Sequence, residues 1–258
     1  MKEHLLLDSQ LKALKLPTMV REYVRAARQA AEENQPYEVF LQHLAELELA
    51  ARETKALARR IQQAGFPVTK DLSDFDFAAV PQLHKKRVLE LARGDFLDEK
   101  ASVVLIGPPG VGKTHLAVAL GREACRRGRR VKFFTAAGLV NTYVEARDQR
   151  QVLRLEATIR KQHLVIVDEL GYIPFTKNGA ENLFGFFSQC YEQTSLIVTT
   201  NLPFADWPQT FAGDERLAGA LLDRLTHRVH ILEITGDSYR FKASLKAQEG
   251  GGETKKAK

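Results

Sequence analysis

Residues 107–114 read Gly107, Pro108, Pro109, Gly110, Val111, Gly112, Lys113 and Thr114, the pattern G-x-x-x-x-G-K-[ST]. An apolar run, Ser102–Ile106, stands before it, and an apolar helical stretch opening with His115 and Leu116 follows. Strand, glycine-rich loop and helix in that order form a phosphate cradle. The glycines let successive N–H groups turn inward, and the helix N-terminus adds the positive end of its dipole. Lys113 is expected to reach β- and γ-phosphates and the Thr114 hydroxyl to hold Mg²⁺, with residues 107–115 together forming the expected nucleotide-binding set. ATP with Mg²⁺ is the expected ligand pair.

Four further apolar runs follow the same rhythm: Val131–Thr135, 164–168, Ser195–Thr200 and 229–234. Val-Val-Leu-Ile and Leu-Val-Ile-Val lack polar alternation, as strands covered on both faces do. Helical stretches between them imply right-handed crossovers and a parallel sheet. The expected fold is α/β, a five-stranded parallel sheet with helices on both faces, preceded by a small all-helical domain. The expected divisions are 1–68 (helical, DNA-binding and assembly), 69–241 (ATPase) and 242–258 (basic, disordered tail).

The third run ends in Asp168 and Glu169. Asp168 is placed to hold Mg²⁺ through its water shell, and Glu169 to polarise a water for attack on the γ-phosphate. An acid set to activate water argues for hydrolysis over kinase chemistry. The fourth run ends in Thr199, Thr200 and Asn201, at the strand ends where ligands bind in such sheets. Asn201 is the expected water-positioning residue, with Thr199 and Thr200 as alternatives. Arginines suited to act on a neighbouring copy's γ-phosphate are Arg216, Arg224, Arg228 and Arg240, and spacing does not choose among them.

The front end reads as helices. Pro17 suits a first helical position. Residues 34–36, Asn-Gln-Pro, break the pattern, and a second stripe runs to about Ala64 before Gly65 and Pro67. On that helix Arg52, Lys55 and Arg59 share a face, with Arg60 beside it, and are read as DNA-phosphate contacts. Residues 71–80 look like a polar linker. The chain carries 38 basic and 32 acidic side chains, net +6. The body 71–241 is nearly neutral while both ends are basic, which hints at a polyanion partner. A block at 122–132, with six cations and Glu123 alone, reads either as a solvated helix end or as a functional patch.

Composition excludes several classes. The longest uncharged stretch, residues 193–205, has 13 positions and is broken by Pro203, too short to cross a bilayer. The start offers no secretory apolar core. Cys125 and Cys190 have no metal-type spacing. A reducing cytoplasm is the expected location.

Residues 107–114, 168–172 (Asp-Glu-Leu-Gly-Tyr), 200–207 (Thr-Asn-Leu-Pro-Phe-Ala-Asp-Trp), 222–225 (Leu-Asp-Arg-Leu) and 236–240 (Gly-Asp-Ser-Tyr-Arg) together resemble the IstB family. These are ATP-binding helpers of bacterial insertion sequences, kin to DnaC-type helicase loaders within the AAA+ class. The resemblance spans about 70–241. It implies an AAA+ ATPase that forms homo-oligomers on double-stranded DNA, dependent on ATP and DNA, and that serves a partner transposase (IstA-like). It also implies Arg224 as an arginine finger and Arg240 as a second sensor. Residues 136–161 match the extra helical insertion of the initiator and loader clade, where Arg147, Arg150 and Arg154 suit phosphate contacts. The short chain after Arg240 leaves no room for the usual helical lid. A replicative helicase loader is the alternative function, and pull-down with helicase or transposase separates the two.

Overall fold

In a computed structural model, residues 5–236 together with 238 and 239 are described. The chain divides into two compact units, Met1–Arg59 and Arg60–Lys258.

The first unit is helical: α1 (Leu5–Ala13), α2 (Pro17–Glu32) and most of α3 (Tyr37–Ala64). Pro17 opens α2 and Asn34, at φ 50°, turns the chain after it. Tyr23, Ala26 and Leu44 form a small core with Leu11, Met19, Val24 and Phe40 against it. Glu48 of α3 is 3% exposed and accepts the N–H of Thr18 (2.8 Å) and of Met19 (3.1 Å). A carboxylate from a distant helix thus satisfies donors that the first turn of α2 leaves open. Burial pushes the Glu48 pKa up, but the Arg52 guanidinium and those two amides outweigh it and hold it below the usual carboxylate value.

The last turn of α3 belongs to the second unit, so the division falls within a helix rather than at the Gly65–Pro67 break. Arg60 Nε donates to the Cys125 carbonyl at 2.9 Å, Ala64 is fully buried, and Phe66 meets Phe133 edge-on at 6.5 Å. Residues 71–80, expected as a linker, make two 3₁₀ turns, Leu72–Asp74 and Phe77–Ala79, with Phe75 and Val80 buried.

Next come α4 (Lys85–Arg93), α5 (Asp95–Asp98), β1 (Ser102–Ile106), α6 (Lys113–Arg126), β2 (Val131–Thr135), α7 (Ala136–Asp148) and α8 (Val152–Arg160). After them stand β3 (Leu164–Leu170), α9 (Lys177–Cys190), β4 (Ser195–Thr200), α10 (Trp207–Thr210), α11 (Glu215–Thr226) and β5 (Val229–Glu233). The strands form one parallel sheet ordered β2-β3-β4-β1-β5. Successive strand residues alternate faces. Val165 and Val167 join Leu139, Phe186, Trp207 and Leu221 in the core on one side. Ile166 faces α6, where a Cβ on Gly121 would lie 2.7 Å from its Cδ1. No described helix is long and apolar enough to cross a membrane.

The basic block 122–132 is largely occupied. Arg122 and Arg126 both pair with Asp71, Arg129 pairs with Asp98, and Arg127 and Arg130 donate to the carbonyls of Ala92 and Lys161. These side chains pin the ends of α6 and β2 to their neighbours.

Candidate nucleotide site

The loop between β1 and α6 is tightly backed. Gly107, Gly110 and Gly112 all have positive φ, and a Cβ on any of them would collide. At Gly107 it would meet the Ile234 carbonyl oxygen at 2.0 Å, and at Gly112 the Phe75 ring at 2.8 Å. Lys113 Nζ donates to the carbonyls of Gly107 (2.6 Å) and Pro108 (2.8 Å), across the loop's mouth. A cavity of about 450 Å³ opens beside it. Pro109, Gly110, Val111, Gly112, Lys113, Thr114 and His115 line one side of this cavity, and Glu169, Thr199, Thr200 and Asn201 another.

At the end of β3 the pairing with β4 breaks register between Val167 and Leu170. Such a bulge re-aims side chains, and here it separates two adjacent acids. Asp168 is 3% exposed, while Glu169 adopts φ 61° and is exposed to the cavity. A non-glycine residue in the left-handed region carries strain of the kind that gathers at functional sites. The Thr114 hydroxyl lies 3.0 Å from both oxygens of Asp168. Thr199 donates to Asp168 Oδ1 at 2.5 Å, and its oxygen accepts the Glu169 N–H at 2.9 Å. Thr200 accepts the Leu202 N–H at 3.1 Å. Both hydroxyls thus serve local structure, and Asn201 is the polar side chain of that strand end left to face the cavity.

The wall opposite is residues 68–80. Phe75 packs edge-on to His115 at 5.2 Å and to Phe77 at 4.8 Å. His115 Nε2 lies 3.0 Å from the Asp71 carbonyl oxygen. Sequence reasoning missed this wall, although the paired acids Asp71 and Asp74, which cap each other's turn, are a local signal for an ordered turn.

The remaining candidates lie elsewhere. Arg224, on the last turn of α11, donates to the Ala220 carbonyl and sits 4.9 Å over the Phe184 ring. It lines a separate cavity of about 280 Å³ with Ser102 and Thr194, at the sheet edge where β1 and β4 begin. The phosphate loop sits where β1 ends, so within one chain Arg224 is on the opposite edge. Arg240 lies outside the described residues. Arg52 pairs with Glu48 and donates to the Lys15 carbonyl, while Lys55 and Arg59 are exposed. Arg60 is half-buried on Cys125. Arg147 donates to Asn182 Oδ1 at 2.8 Å. Arg150, at φ 56°, and Arg154 are exposed around the turn from α7 to α8. Among the described residues no group of His, Cys, Asp and Glu has the geometry of a protein-only metal site.

The family model described as IstB-like ATP binding protein matches residues 9–247. The chain is 38% identical over 241 residues to a Pseudomonas aeruginosa protein named as an ATP-binding protein of insertion sequence IS21, covering 93% of this chain and 91% of that one. It is 35% identical over 236 residues to a Geobacillus stearothermophilus protein named for insertion sequence IS5376, covering 92% and 94%. Among solved structures, AMPPCP-bound DnaA from Aquifex aeolicus aligns with a TM-score of 0.56 at 21% identity, covering 72% of this chain and 56% of that chain. DnaI aligns with a TM-score of 0.53 at 18% identity, covering 64% and 91%. These two share the fold.

Proposed function

Since this chain belongs to the IstB-like ATP-binding protein family, we propose that it is a Mg²⁺-dependent, DNA-stimulated ATPase of insertion-sequence transposition. It assembles on double-stranded DNA and helps a partner transposase capture its target. The observation that carries the nucleotide chemistry is the juxtaposition of Thr114, Asp168 and a glycine loop that admits no Cβ, beside a cavity of about 450 Å³. The relatives' insertion-sequence names support transposition over helicase loading.

The donor set fits Mg²⁺. A hydroxyl and a carboxylate converge within 3.0 Å, both hard oxygen ligands, and a cation that keeps its waters and takes phosphate oxygens needs few protein groups. Thr114 and Asp168 would hold it, and when bound it would neutralise charge building on the β- and γ-phosphates. Gly110, Val111 and Gly112 offer backbone N–H groups to the phosphates. Lys113 exchanges the carbonyls of Gly107 and Pro108 for phosphate oxygens. Glu169, held outward by the bulge, takes a proton from the attacking water, and Asn201 positions that water.

Arg224 lies on the far edge of its own sheet, which supports service to a neighbour's nucleotide rather than its own. ATP bound between copies then joins them, with Arg224 of one completing the site of the next. Exposed Lys55, Arg59, Arg150 and Arg154 supply sequence-independent phosphate contacts to DNA. The test is phosphate release with Mg²⁺ and duplex DNA. Wild-type protein releases phosphate from ATP without any added acceptor, and Lys113→Ala does not bind ATP. Equal turnover by the two proteins would refute the assignment.

A further inference from the structure

Residues after β5 return to the phosphate loop. The Ile234 N–H donates to the Ile106 carbonyl at 2.8 Å, continuing the β5 pairing past the strand. The Ile234 carbonyl then occupies the space that a side chain on Gly107 would need. Further along the chain, the Tyr239 N–H donates to the Gly110 carbonyl at 3.1 Å. A Cβ on Gly110 would lie 2.2 Å from Ser238 Oγ and 2.9 Å from Ser238 Cβ. On its other side Gly236 approaches Ala79 and Val80, and Thr235 contacts Gln82. Tyr239 itself lines the cavity.

We infer that Ile234, Thr235, Gly236, Ser238 and Tyr239 belong to a strap that sets the orientation of the peptide joining Gly110 to Val111, and so pre-arranges the phosphate cradle. The inference rests on reading this cavity as the nucleotide site, and it adds Ser238 and Tyr239 as positioning residues. In a trans peptide the carbonyl and the following N–H point in opposite directions. Holding the Gly110 carbonyl toward Tyr239 therefore holds the Val111 N–H away from the strap. A loop of three glycines has many alternative peptide orientations, and fixing one beforehand removes an ordering cost from binding. The strap also accounts for glycine at position 110. The left-handed φ of 85° permits other residues only under strain, and Ser238 leaves no room for one.

The cradle's N–H groups serve the α- and β-phosphates, so the strap should matter equally for ATP and ADP. The experiment is calorimetric titration of the full chain with each nucleotide, with circular dichroism as a folding control. Tyr239→Pro removes the N–H donor, and one hydrogen bond of ordinary net strength corresponds to a loss of about three- to tenfold in affinity. Both nucleotides should lose that factor. Tyr239→Ala keeps the N–H, removes only the ring that lines the cavity, and should lose less affinity than Tyr239→Pro. Gly110→Ala should lose more than Tyr239→Pro, and adding Ser238→Gly should recover part of the loss by vacating the space. Tyr239→Ala as weak as Tyr239→Pro would overturn the role given to the peptide, and so would a Gly110→Ala defect untouched by Ser238→Gly. Wild-type protein binding neither nucleotide would instead overturn the reading of the cavity itself.

Discussion

Thr199 donates its hydroxyl to Asp168 Oδ1 at 2.5 Å, from a side chain 1% exposed on the neighbouring strand. The same oxygen accepts the Glu169 N–H. One hydroxyl therefore fixes both acids of the β3 bulge, Asp168 and Glu169. Thr199→Val keeps the shape and removes the hydroxyl, leaving a buried carboxylate and a backbone donor each short of a partner. Unmade buried hydrogen bonds cost about 1–3 kcal/mol. The variant should lose that much stability in urea unfolding and at least about tenfold in ATP turnover. A loss of stability with full turnover would confine Thr199 to structure.

Glu169 combines exposure with a left-handed backbone. Glu169→Gln should bind ATP with near-normal affinity and fail to hydrolyse it, holding DNA in long-lived complexes. Glu169→Gly should be equally inactive yet more stable by about 1 kcal/mol, because glycine removes the left-handed penalty. Calorimetry of binding, phosphate release, DNA dissociation rates and thermal melting check the four properties.

Arg224 and Glu169 are expected to meet only across copies. Arg224→Ala should bind ATP normally and lose about 10³-fold in turnover, the scale of an arginine supplied in trans. Mixing Arg224→Ala with Glu169→Gln should restore activity neither shows alone. In random one-to-one assemblies, about a quarter of the heterologous interfaces pair an intact Glu169 with an intact Arg224. Mixtures no better than the sum of their parts would put Arg224 out of the active site.

Asp71 is held below its usual 3.8 by the Arg122 guanidinium, with Arg126 adding to that against the effect of burial. A depressed native value means the unfolded chain takes up the proton first, so the ion pairs stabilise fully above about pH 4 and fade as pH falls below it. Asp71→Asn should be less stable than wild type at pH 7, and the gap should narrow as pH falls below about 4. The depressed Glu48 is common to both proteins and cancels. A gap independent of pH would show that the carboxylate charge does not hold the wall.

DNA affinity should fall steeply with salt and depend little on sequence, because contacts to phosphates carry no base code. For about five phosphate contacts per subunit the log–log slope is roughly −4 to −5. Alanine at Lys55 or Arg59 should flatten it by about 1 each. Arg52→Ala should instead lower the melting temperature of the helical unit, because Arg52 supports Glu48 and the Lys15 carbonyl.

The sheet was legible in the chain because β1, β3 and β4 are short, apolar and unalternating, although β3 runs two residues past the expected 168 through its bulge and β5 stops one residue short of 234. The phosphate loop was legible because its residues are consecutive. What could not be read were partners set by distance in sequence. Asp71 looks like linker charge until Arg122 and Arg126 are brought onto it, and Arg60 looks like an exposed cation until Cys125 offers its carbonyl. The division of labour between Asp168 and Glu169 was visible as residue types, but the bulge that turns one inward and the other outward depends on Thr199 of the next strand.

The central claim is that ATP held between adjoining copies controls their grip on duplex DNA. Sedimentation of the full chain with duplex, with and without a non-hydrolysable ATP analogue, tests it most directly. The account predicts DNA-bound multimers with the analogue and dispersed, weakly bound protein without it. Protein that stays monomeric in both, and binds duplex equally well in both, would contradict it.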